Sequence, residues 1–208
     1  MVTQTPTNDE KAATSAVKQQ LAGVLIASVF GTVFVFVNAG DPMPAELVPA
    51  ARIAAVAALA ATAVLGLLAA RSTAPAGAST APKPNRPGTS RRPPMFGRGF
   101  LGVVLTEAVL IIGGLRAIRV FDAPVETNVA WIAIVVGLHF IVLARVWKDA
   151  RILVPGAVLT LLGVAGFALA AVSLVPLIPL VSGVLSGVTL LVCGVVATAA
   201  MWAAARRS

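Results

Sequence analysis

Titratable side chains are scarce in this chain, and those inside its long apolar runs include Glu107, His139 and Arg145 on the third and fourth runs. A carboxylate beside an imidazole can pass a proton or hold a small cation, and a carboxylate beside a guanidinium forms a charge-assisted pair. A second group, Arg52, Arg116 and Arg119, lies close to Asp41, Glu46, Asp122 and Glu126 in the flanking turns. Such a rim suits an anionic solute or a lipid headgroup; equally, it suits arginines that lay their stems on apolar surface and pair at the rim. Other chemistry finds little support. One His and one Cys, His139 and Cys193, cannot supply a multi-ligand metal site or a haem pair. There is no phosphate-cradling glycine loop, nucleophile elbow or paired acidic motif. No catalytic residue, metal or cofactor is therefore expected, and the chain is not expected to be an enzyme.

The elements that carry these residues follow from composition. Hydrophobic residues make up 58% of the chain and charged residues 12%, with a mean hydropathy of +0.94, whereas a soluble domain is about 25% charged. A helix crossing a hydrocarbon layer of about 30 Å needs about 20 mostly apolar residues, and lipid leaves no backbone polar group unpaired at that depth. Six runs qualify: 21–38, 47–70, 100–121, 129–147, 152–175 and 177–204. None alternates with a two-residue period, so a membrane barrel is excluded. The expected fold class is all-α, a polytopic helical membrane bundle of six transmembrane helices.

Orientation follows from the cations between the runs. With the amino terminus inside, Lys11, Lys18, Arg71, Lys83, Arg86, Arg91, Arg92, Arg98, Arg145, Lys148, Arg151, Arg206 and Arg207 fall on the cytoplasmic side, leaving only Arg52, Arg116 and Arg119 opposite. Both termini are thus expected in the cytoplasm. Residues 1–20 read as a polar cytoplasmic lead-in, 21–70 as a transmembrane hairpin and 71–99 as a disordered basic linker. Residues 100–204 read as a four-helix transmembrane unit and 205–208 as a cytoplasmic tail. In the linker, Pro75, Pro82, Pro84, Pro87, Pro93 and Pro94 forbid a regular helix. The first run could instead be a cleaved secretory signal, because Val37, Asn38 and Ala39 resemble a small-residue cleavage site. Its apolar stretch is longer than such signals use.

The short turn between the third and fourth runs makes them antiparallel neighbours. By helical rise, Glu107 sits about 10 Å from the cytoplasmic edge, His139 about 15 Å down its own helix and Arg145 about 6 Å from the cytoplasmic edge. Glu107 can therefore meet His139, Arg145 or both, although the two partners lie about 120° apart around their helix. Two readings stand: a protonatable pair that carries or gates a proton or cation, and a polar clamp between helices. Helix packing has its own signature. Ser182 with Ser186, and Gly183 with Gly187, form two small-x-x-x-small pairs on the sixth run, suited to close packing or homodimerisation. Gly113 and Gly114 permit a bend or a neighbour's close approach, and Trp131, Trp147 and Trp202 read as interfacial anchors.

The segment Gly137, Leu138, His139, Phe140, then Leu143, Ala144, Arg145 resembles one found in small uncharacterised multi-span bacterial membrane proteins. The resemblance covers one helix of six and implies a helical membrane bundle without an activity. The bias towards Ala, Val, Arg and Pro is similar to that of proteins from high-GC bacteria, which implies a plasma membrane. The expected function is that of an accessory or assembly subunit binding lipid or a membrane partner, a further copy of itself included. The alternative is a small proton- or cation-linked transporter using Glu107 and His139 on an ion or solute. The basic excess, a net charge of +8, is spread over loops without interleaved aromatics, so nucleic acid is not an expected partner.

Overall fold

The computed structural model describes residues 8–72 and 98–207 of the 208-residue chain. Six long helices make up the bundle: α1 (Asn8–Asn38), α2 (Leu47–Ser72), α3 (Arg98–Val120), α4 (Thr127–Trp147), α5 (Leu153–Ala171) and α6 (Leu185–Ala205). A six-residue π-helical segment, Pro179–Val184, leads into α6, and there is no strand among the described residues. All six helices are long and apolar enough to cross a membrane. The expected all-α bundle is thus present. Several boundaries differ from expectation. Residues 8–20 of the polar lead-in are helical and extend α1, and the expected linker lies outside the described residues except at its ends, where 71–72 close α2 and 98–99 open α3.

Burial recurs at seven-residue spacing, the pattern of helices packed at a shallow angle. Leu21, Ser28 and Val35 form such a stripe on α1, Ala55, Thr62 and Ala69 on α2, and Gly156 with Gly163 and Leu159 with Gly166 on α5. Small residues on these stripes bring backbones together. A Cβ on Gly31 would lie 2.8 Å from the Gly187 carbonyl oxygen, and one on Gly156 would lie 2.9 Å from that of Gly137. Some hydroxyls inside the helices are satisfied locally, Thr62 donating to the Ala58 carbonyl at 2.9 Å and Thr198 to that of Gly194 at 2.9 Å, whereas those of Ser28 and Ser186 are buried without a partner.

Neighbours in space are not simply neighbours in sequence. Besides its own hairpin partner, the first hairpin packs on α6, whereas α4 packs most extensively on α5, and α3 rests on α4. One core gathers Val35, Ala39, Ala55, Val184 and Leu191; the other gathers Val136, Leu159 and Leu190. Successive residues of α6, Leu190 and Leu191, thus face different cores, so α6 joins the two groups of helices instead of belonging only to a unit with α3, α4 and α5.

The outer surface is apolar where the interior is partly polar. Ile53, Val109, Leu161 and Val196 are each more than 60% exposed, while Ser28, Thr62, Ser182, Ser186 and Thr198 are fully buried. Such an exterior is the reverse of a water-soluble helical bundle and is matched to a hydrocarbon environment.

Candidate functional site

The third helix carries the site. Among the described side chains of α3 only Ile118 is buried, so the helix lies at the edge of the bundle with one face on α4. Three contacts hold that face, and their α3 members, Phe100, Glu107 and Gly114, are spaced seven residues apart on one side of the helix. At one end the Phe100 and Trp147 rings stack with centroids 6.2 Å apart. In the middle, Glu107 Oε2 lies 2.9 Å from His139 Nδ1, with the Glu side chain 20% and the His side chain 12% exposed. Towards the other end Trp131 packs its ring on Gly114 and donates from Nε1–H to the Leu110 carbonyl at 3.0 Å.

The middle contact is close but off-line. His139 Nδ1 is buried and has no aligned hydrogen bond, so its proximity to Glu107 is a close polar contact that becomes a charge pair only with a protonated imidazole. Packing alone would not put a carboxylate there. It is tolerated because α4 brings a partner to its depth and because Glu107 keeps partial access to the surroundings.

The upper contact depends on an absent side chain. The indole of Trp131 fills the notch at Gly114, and any Cβ at that position would overlap the ring. Gly114 thus supplies the close approach expected of the Gly113 and Gly114 pair, whereas Gly113 has open space around it. Trp131, expected as an interfacial anchor, has its polar atom committed to α3. Sequence carried a signal for this pairing: Gly114 lies seven residues beyond Glu107, and Trp131 eight before His139, so the two match in depth on antiparallel helices.

Arg145 is not part of the contact. It is exposed on α4, and the close contact of Glu107 is with His139, as the angular separation on α4 dictates. The expected outer-rim group is likewise divided. Arg52 turns onto the end of α1, donating to the carbonyls of Phe36 at 3.3 Å and Ala39 at 3.1 Å, with its guanidinium 5.8 Å from the Phe36 ring centre. It closes a helix carboxyl end, where a cation is favoured. Arg116 and Arg119 stay on α3, lining a recess of about 160 Å³ with Ile112 and Leu115.

The small residues of the sixth run are all buried inside one copy of the chain. Ser182 Oγ donates to the Leu162 carbonyl of α5 at 2.8 Å and sits against Gly166, Gly183 receives Asn38, and Gly187 meets Gly31. Ser186 is fully buried. This face serves packing within the chain, which leaves it unavailable for the homodimer contact that its spacing also suggested.

No family model, curated protein or solved structure matches this chain. Among the described residues no group of His, Cys, Asp or Glu could hold a metal ion. A second recess, about 390 Å³, opens between α1 and α4 near the ends of the helices that carry Asn38 and Glu126. Neither recess includes Glu107 or His139 in its lining.

Proposed function

We propose that this chain is a multi-pass accessory or assembly subunit of a bacterial plasma membrane, binding lipid or a membrane partner through its apolar perimeter. The observation that carries this reading is the use of Glu107 and His139: they tie a peripheral helix to the bundle and lie outside both recesses. A polar pair placed between two helices acts as a clamp, and a clamp on a helix at the edge of the bundle keeps that helix's outer face presented in a fixed direction. That face carries Leu101, Leu105, Val109 and Ile112, all exposed.

The orientation follows from the cation distribution and puts both termini in the cytoplasm. Retention of α1 as a membrane helix is supported by its contacts with α6 and by Arg52, which binds the carbonyl of Ala39 at the point where a signal would be cut. The alternative, proton- or cation-linked transport, draws on the partial exposure of Glu107 and the unaligned His139 nitrogen.

Reconstitution separates the two. Proteoliposomes containing the wild-type chain should show no flux driven by a pH gradient, and the chain purified in mild detergent should retain lipid or a cross-linkable membrane protein. Gradient-driven flux that disappears in Glu107→Gln would replace this reading with transport. A lipid-free monomer without a partner would remove its basis.

A further inference from the structure

We infer that the cleft between α1 and α4 seats one acyl chain of an amine-bearing phospholipid, with Glu126 receiving the headgroup ammonium. This deepens the lipid-binding reading above and rests on it. The cleft exists because α1 and α4 are bridged by the Pro179–Val184 segment instead of packing face to face. Pro179 lies in its lining, and its walls are Phe30, Val33, Phe34 and Val37 from α1 with Val129 and Ile132 from α4. At about 390 Å³ it falls in the range of about 300–1,000 Å³ typical of small-molecule sites. Along α1 the lining runs from Phe30 to Asn38, about 12 Å by helical rise, so it reaches from the rim into the depth where acyl chains lie.

Charge selects the headgroup. Polar side chains in the lining are confined to the rim: Asn38, Glu126 and Asn128. The Asn38 amide is committed to the Phe34 carbonyl at 2.8 Å. Asn128 Oδ1 is buried with no hydrogen-bond partner, and Glu126 has no ion-pair partner among the described residues. No Lys, Arg or His lines the cleft. The rim thus offers the Glu126 carboxylate, which matches a primary ammonium and its N–H donors. A choline headgroup carries the same charge without N–H donors, and a glycerol headgroup leaves the lipid anionic beside a carboxylate. Both are disfavoured by the same atoms, and the phosphate stays in the headgroup layer.

The full chain reconstituted in nanodiscs holding equal amounts of ethanolamine, choline and glycerol phospholipids, then examined by native mass spectrometry, provides the test. One retained phospholipid is expected, with ethanolamine over choline enriched about tenfold, the scale of one charge-assisted hydrogen bond. Glu126→Gln should bring the ratio near parity while lipid is still retained. Val33→Trp, at an exposed position of the wall, should remove the retained lipid while the chain still inserts and purifies as a folded protein. Parity in the wild type, enrichment of the glycerol lipid, a ratio unchanged by Glu126→Gln, or full retention in Val33→Trp would overturn the inference. If the wild type retains no lipid but still cross-links a membrane protein, this site falls and the accessory reading stands; if neither is found, both fall.

Discussion

Glu107 and His139 are worth more as a pair than either is alone, because removing one leaves the other without a partner in a largely buried contact between apolar helices. A double-mutant cycle of Glu107→Gln and His139→Ala, followed by unfolding in mild detergent, should give a coupling of about 1 kcal/mol, in line with polar contacts between membrane helices. Gly114→Leu should cost about 1–3 kcal/mol by forcing Trp131 out of its notch, and Trp131→Ala in the same chain should recover part of that loss. The pair was legible in sequence because ionisable residues in apolar runs are few and a short turn fixes which helices touch. Its isolation from Arg145 follows from the 120° between them. Arg52 was harder to read: nothing in its spacing announces that α1 ends within its reach, so an arginine that caps a helix looks the same as one on a charged rim.

The helix ends show why boundaries were less legible than spans. Helices α3, α4 and α5 are each followed by a residue in the left-handed region, Asp122 at φ 50°, Lys148 at φ 54° and Ser173 at φ 62°, where glycine is the usual choice. Each end closes with a six-to-one bond: Ala123 N–H to Ile118, Asp149 N–H to Ala144, and Leu174 N–H to Leu169. Without a glycine to mark them, these stops are announced only by Pro124 beyond α3 and Pro176 beyond α5. Lys148→Gly should relieve the backbone and raise stability by about 1 kcal/mol, read as a higher thermal midpoint. The contact between α4 and α5 makes the opposite demand. Gly137→Val would push a side chain into the Gly156 carbonyl and the Thr160 backbone, and should abolish recovery of folded protein from the membrane. The π-helical entry to α6 had no sequence signature beyond Pro179, since its residues have the same apolar character as those of an α-helix.

Taken whole, the molecule is two groups of helices that share α6. Span count was readable because bilayer thickness fixes helix length, whereas direction rests on the loop cations alone. Packing order was not, because a loop constrains only the helices it joins, and α6 meets α1 and α2 across more than a hundred residues of chain. Reporter fusions at both termini should report the cytoplasm, and a tag between Asp122 and Glu126 should be reachable from outside intact cells; the reverse labelling would invert the molecule. The position of α6 also sets an order of events at the ribosome. The first hairpin is synthesised well before the helix that covers it, by a delay on the order of ten seconds at ordinary translation rates. Throughout that wait its small polar stripe, with Ser28, Gly31 and Thr62, has no cover. A transcript broken after α5 would make that state permanent, handing the membrane's proteases a substrate that the intact chain presents only in passing.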